Sequence, residues 1–232
     1  KNEYNTYPEI SSSIKKNNSI VDKATDDWPF FYMPKKIYPF SYVIVILLIV
    51  TVSILYTKNT SAISTKKFSF PCFFLGIGFM LIETKGITEL SLYYGSTWVV
   101  VSIVITAILI MAYLANLIIL KISTPSSNLI YTGLFTSLIL GLSYTFARAY
   151  LSIPFQIDQI IGTLFLTIPL FFSGFAFSYE LKNSPSVMVA LSSNIIGAMV
   201  GGCLEYNAMY FGFRSLYILA ILMYLFSFIS SS

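Results

Sequence analysis

From Tyr38 onward the chain runs in apolar blocks of about 20 residues separated by short polar breaks, whereas the residues before it hold no long apolar run. A helix rising 1.5 Å per residue needs roughly 20 apolar residues to cross about 30 Å of hydrocarbon. The blocks fall at 38–56, 71–94, 97–122, 129–147, 160–179, 187–211 and 214–230, which predicts about seven crossings, one leading helix and then six. Strand-period alternation is absent from these blocks, and in lipid only helices or closed barrels satisfy their own backbone groups. The expected fold is all-α: a polytopic transmembrane helical bundle preceded by a short soluble segment. Residues 1–37 read as the tail end of an upstream soluble domain with its linker, and residues 38–232 as the membrane domain.

Local signals punctuate this pattern. Tyrosines stand at both ends of the first block, where interfacial anchors are expected. Pro71 suits the first turn of the second helix, and Pro125 sits in a turn at 123–128. Pro169 lies inside the fifth block, where it removes one backbone hydrogen bond and predicts a kink. A loop at 181–186 is expected to end that block, and Gly212 marks a tight turn between the sixth and seventh.

Composition agrees with the pattern. The 232 residues are 56% hydrophobic and 10% charged, against roughly a quarter charged in soluble domains. Before Tyr38 the text is polar, with six lysines (Lys1, Lys15, Lys16, Lys23, Lys35, Lys36) against five acids (Glu3, Glu9, Asp22, Asp26, Asp27). The chain opens on Lys1 without an initiator Met and without a signal-like apolar core, so it is expected to be a fragment or processed piece. Histidine is absent, which removes the commonest general base, the Ser/His/Asp triad and most zinc sites. Cys72 and Cys203 form no CxxC pair and read as packing residues. The net charge of +4 is scattered over loops, so no nucleic-acid face and no metal site are expected. Loop charges leave the orientation open: Lys35, Lys36, Arg148 and Arg214 fall on one side, and Lys58, Lys66, Lys67, Lys121 and Lys182 on the other.

The candidate chemistry lies in the charges within the blocks. A charged side chain at mid-bilayer costs at least ~2.5 to 3.5 kcal/mol, so Glu83, Lys85, Glu89 and Glu205 should face the bundle interior or water. Lys85 and Glu89 are i, i+4 neighbours about 40° apart around a helix and can pair, although in the less favourable order of charges. Glu83 points the other way on an ideal helix. A break at Gly86 would bring all three toward one polar cavity. The alternative is that they sit near the interface and pair with loop charges or Arg148. In the sixth block Ser193, Gly197, Gly201 and Glu205 recur every fourth residue, flanked by Asn194 and Gly202. Gly197, Gly201 and Gly202 would let another helix approach closely. The functional alternative is a ligand cavity lined by Asn194 and Glu205. Tyr and Phe, at 17 and 20 residues, are spread over every block and fit interface belts.

Three stretches resemble one family. Thr25-Asp26-Asp27-Trp28-Pro29-Phe30-Phe31-Tyr32 is similar to the segment closing the soluble domain of membrane-bound spermidine synthase-like proteins. The second block from Phe74 to Glu89, followed by Tyr94-Gly95-Ser96-Thr97-Trp98, resembles that family's FLGxGFMLxExKxIxxL…GSTW pattern. Asn194 to Tyr206 resembles its NxxGAxxGGxxEY pattern. The resemblance implies a parent built from membrane helices, a Rossmann-like domain related to polyamine aminopropyltransferases and S-adenosylmethionine methyltransferases, and further helices, of which this chain is the final part. It also implies a bacterial inner-membrane location with residues 1–37 in the cytoplasm, and an S-adenosyl compound as cofactor of the parent. No glycine-rich strand-to-helix motif occurs in this chain, so neither catalytic residues nor a cofactor are expected within it. Asp26 and Asp27 would border the soluble active site, or form a turn or cap before Pro29.

Three functions follow from these readings. The chain is the membrane domain of a spermidine synthase-like transferase, anchoring it and handling a cationic or lipophilic substrate. Alternatively it is a transporter bundle whose Glu83, Lys85, Glu89 and Glu205 line a path, or a structural module whose charges satisfy one another. The partners expected are the lipid bilayer, the upstream soluble domain and further helices of the same protein.

Overall fold

A computed structural model describes residues 22, 24, 25, 27–30, 33, 35–59, 68–95, 98–121, 126–147, 150 and 154–231. The long helices are α1 (Phe40–Asn59), α2 (Phe70–Tyr94), α3 (Trp98–Lys121), α4 (Ser127–Ala147), α5 (Phe155–Asn183) and α6 (Val187–Leu204). A 3-10 turn (Glu205–Asn207) and a single turn α7 (Ala208–Phe211) extend α6, and α8 (Arg214–Ser231) ends the described chain. Among the described residues the only β pairing is an isolated bridge between Thr25 and Trp28. Six helical stretches are long and apolar enough to cross a bilayer; the apolar part of α1 described in full, Phe40–Ile49, is shorter. The protein is an integral, multi-pass helical membrane protein.

The helices alternate in direction. α1 begins beside the end of α6, where the Tyr38 hydroxyl donates to Asn207 Oδ1 at 2.7 Å and the Tyr42 and Tyr206 rings stack at 4.0 Å. α8 ends beside the start of α2, where the Ser227 hydroxyl donates to the Pro71 carbonyl at 3.0 Å. The side where α1 begins is here the proximal face and the other the distal face. Helices α1, α3, α5 and α8 run from proximal to distal, and α2, α4 and α6 return. α2 occupies the centre, packed against α5, α6 and α8, while α3 and α4 lie against the outside of α5.

Lipid supplies no hydrophobic drive for helices to associate, so the interior is sorted by size and hydrogen bonding. Ser137, Thr167, Ser173, Ser178, Ser193 and Ser227 are buried, whereas Leu109, Leu120, Leu129, Ile160, Ile195 and Ile229 face outward. Buried hydroxyls bond to nearby carbonyls or to each other: the Ser178 hydroxyl shares its one proton between Asn116 Oδ1 at 2.6 Å and the Gly174 carbonyl at 2.7 Å. α1 touches the bundle near its start and exposes Val43, Ile44, Leu47 and Leu48.

Several boundaries differ from the sequence reading. α5 begins at Phe155 and continues to Asn183, through Pro169 and three residues into the expected loop. Its added first turn carries Asp158, which is buried. Gly95 and Gly212 stop α2 and α7 with φ of 85° at each, a conformation open to glycine and strained for other residues. α1 begins at Phe40, two residues after the expected start of the first block. The described residues before it nonetheless pack on the bundle, with Trp28 fully buried and Met33 nearly so. Arg148, Lys66 and Lys67 lie outside the described residues.

Candidate functional site

α2 is helical without interruption from Phe70 to Tyr94, and Gly86 stays within it. The break that would gather Glu83, Lys85 and Glu89 into one cavity therefore does not occur. At 100° per residue, Glu83 is rotated about 200° from Lys85, and the three charges divide between two faces of the helix.

On the inner face, Lys85 Nζ meets Glu89 Oε2 at 2.8 Å, with side chains 6% and 7% exposed. Tyr217 of α8 presents its ring 5.9 Å from the ammonium, a cation–π geometry. The Thr145 hydroxyl of α4 approaches Glu89 Oε1 at 3.5 Å. Tyr93 continues this face one turn further on, and its carbonyl accepts from Gln159 Nε2 at 2.8 Å. Beside it the Tyr144 hydroxyl donates to the Asp158 carboxylate. A buried polar seam thus follows α2 from near mid-helix toward the proximal face.

On the outer face, Glu83 is half-buried. Its electrostatic neighbour is Glu205, whose Oε2 accepts from the Thr84 hydroxyl at 2.7 Å. Glu205 stands where α6 tightens into the 3-10 turn. The carbonyls at this change of winding find side-chain donors: Asn207 Nδ2 bonds the Leu204 carbonyl at 2.7 Å, and the Tyr42 hydroxyl bonds that of Cys203.

Asn194 lies elsewhere. Its Nδ2 donates to the Cys72 carbonyl at 3.1 Å near the distal face, and the Ser193 hydroxyl accepts from the Ser69 amide at 3.1 Å. Eleven helical residues separate Asn194 from Glu205, roughly 16 Å at 1.5 Å per residue, so the two do not line one cavity. Between them α6 crosses α2 closely. A β-carbon at Gly197 would fall on the Phe73 carbonyl, one at Gly76 on the Asn194 carbonyl, and one at Gly201 within 2.9 Å of the Ile77 carbonyl. Gly202, expected in the same contact, is not part of it: a β-carbon there meets nothing within 4 Å. One residue of helix turns it 100° away from Gly201.

Asp27 holds the N-terminal segment to the bundle, and Asp26 lies outside the described residues. The Asp27 carboxylate accepts from the Arg214 amide at 2.7 Å and the Asp27 carbonyl accepts from the Phe213 amide at 2.8 Å. An acceptor from outside the helix thus serves the open amides at the start of α8, where negative charge is favoured. Trp28 Nε1 donates to the Met209 carbonyl at 2.7 Å, and Phe30 stacks on Phe213 at 5.5 Å.

A second network, not anticipated from sequence, lies near the distal face. Glu180 Oε1 accepts from the Ser231 hydroxyl at 2.5 Å and from Tyr131 at 3.4 Å, and Tyr131 pairs with Ser227 at 2.8 Å. A signal for it existed: Tyr217, Ala220, Tyr224, Ser227 and Ser231 repeat at alternating spacings of three and four along α8, the stripe of one helix face. Glu180 and Asp158 fell just outside the apolar block expected for α5. A groove of about 380 Å³ between α4 and α5 is lined by residues such as Gly133, Leu140, Phe165 and Phe172 and contains none of the predicted site residues. Among the described residues no group of three or more Cys, Asp or Glu side chains is arranged to hold a metal ion. No family model, curated protein or solved structure matches this chain.

Proposed function

We propose that this chain is the membrane-embedded domain of a spermidine synthase-like transferase, which anchors a soluble catalytic domain at the proximal face of a bacterial inner membrane. The observation that carries this reading is the seat of Asp27, Trp28 and Phe30 on the bundle. Asp27 accepts from the first amide of α8 and Trp28 donates to the Met209 carbonyl of α7, so a domain ending at this segment would be held against the membrane. The stretches that carry the family resemblance also meet one another: the second block supplies Gly76 and Thr84, and the sixth supplies Gly197, Gly201 and Glu205. The S-adenosyl compound would bind the soluble domain. A transport path is less well supported, because Lys85 and Glu89 pair with each other behind α4 and α8 while Glu83 and Glu205 lie on the opposite face of α2.

The coding sequence upstream of Lys1 tests the proposal. It is expected to encode a Rossmann-like domain with a glycine-rich nucleotide loop, and the full-length product should bind S-adenosyl compounds. An initiator codon immediately before Lys1, or only further membrane helices upstream, would overturn it.

A further inference from the structure

α7 stops after one turn, and the groups that would carry it further are taken up by the N-terminal segment. Its last helical bond runs from the Gly212 amide to the Ala208 carbonyl at 2.9 Å. The next in register would join the Phe213 amide to the Met209 carbonyl. Instead the Phe213 amide donates to the Asp27 carbonyl at 2.8 Å, and the Met209 carbonyl accepts from Trp28 Nε1 at 2.7 Å. The Arg214 amide, whose helical acceptor would be the Tyr210 carbonyl, donates to Asp27 Oδ1 at 2.7 Å. Asp27 and Trp28 thus supply an acceptor and a donor to two backbone groups that complement each other. Gly212 serves this arrangement twice: its φ is 85°, and a β-carbon on it would lie 2.5 Å from Asp27 Oδ2. In a helix running through residue 212 neither constraint applies. The segment is tied at its base by a solvent-exposed bond, from the Lys36 amide to Asp22 Oδ2 at 2.9 Å, while Trp28 and Met33 are buried.

We propose that the segment carrying Asp27 and Trp28 is a releasable strap. Docked, it holds the corner between α7 and α8 open at Gly212; released, it lets the Phe213 amide pair with the Met209 carbonyl, so that α7 lengthens through Gly212. An ordinary seat would leave both backbone groups unsatisfied on release, whereas here they bond each other. The longer α7 draws on the first turn of α8. One turn further on, the Tyr217 ring stands 5.9 Å from the Lys85 ammonium, so a pull on the N-terminal segment reaches the buried Lys85–Glu89 pair through a two-state element. The device uses only groups of this chain and stands apart from the transferase reading.

Trp28 and Trp98 are the two tryptophans of the chain, and Trp98 is 88% exposed, so Trp98→Phe leaves Trp28 as the only indole reporter. Gly212→Ala in that background, with the full chain in lipid nanodiscs, disfavours the docked corner and favours the helical one. Iodide quenching of Trp28 is expected to rise several-fold with no loss of far-UV helicity. Trp28 still shielded, or exposed with a loss of helicity, overturns the proposal. Should Gly212→Ala not fold, Asp27→Ala decides, because it loosens the strap and leaves Gly212 in place. Amide exchange resolved at residue 213 is then read beside Trp28 quenching, and Phe213 is expected to keep its protection while quenching rises several-fold. Exchange at Phe213 that rises in step with quenching overturns the proposal, and so does a Trp28 as shielded as in the parent.

Discussion

Replacing Glu89 by Leu leaves Lys85 as an ammonium only 5% exposed, with the Tyr217 ring as its nearest electrostatic partner. Breaking a buried pair from one side costs about 3–5 kcal/mol, because the surviving charge keeps its desolvation penalty and loses its counter-charge. Lys85→Met strands the Glu89 carboxylate with only the long Thr145 contact at 3.5 Å, and a loss of the same order is expected. The double variant removes both desolvation penalties and fills the space with apolar atoms, so it should be at least as stable as the wild type. The two single losses should therefore fail to add, with a coupling of several kcal/mol where independent sites would agree within about 0.5 kcal/mol. Reversible unfolding in mixed micelles titrated with SDS measures all four proteins. Single variants within about 0.5 kcal/mol of wild type, the range of surface substitutions, would mean that the pair is solvated, and the argument from burial would fail.

Three further outcomes are expected. Gly197→Leu should prevent the close approach of α6 to the Phe73 carbonyl, with a loss of at least about 1–3 kcal/mol from overpacking, while Gly202→Leu should leave stability almost unchanged; the same unfolding titration separates them. Asp27→Ala removes the acceptor for the Arg214 amide and should loosen the segment before α1 by about 1–2 kcal/mol, as loss of a helix cap does, seen as faster limited proteolysis between residues 30 and 40. Thr84→Val should lower the thermal unfolding temperature by removing the donor to the half-buried Glu205, about 0.5–1.5 kcal/mol as the net worth of one hydrogen bond, and Thr84→Ser should restore it.

Local periodicity made part of the candidate site legible. Lys85 with Glu89, and Gly197 with Gly201, are i, i+4 pairs, and a helix places such residues on one face whatever surrounds it. The proposed cavity of Asn194 with Glu205 failed because it required residues three turns apart on one helix to converge. Gly202 was misread because composition does not say which side of a glycine-rich stretch meets a neighbour.

The sequence by itself determined that the chain is a set of apolar helices, since lipid leaves the backbone no other open arrangement, and it determined roughly where each helix starts and stops. Tertiary structure decided which helices touch. Apolar composition is nearly uniform around these helices and lipid is as apolar as leucine, so hydrophobic patterning does not name the inward face. That choice was made by the few positions where a missing side chain admits a backbone, as at Gly197 and Gly76, or where a polar group finds a partner on another helix, as Glu205 does with Thr84.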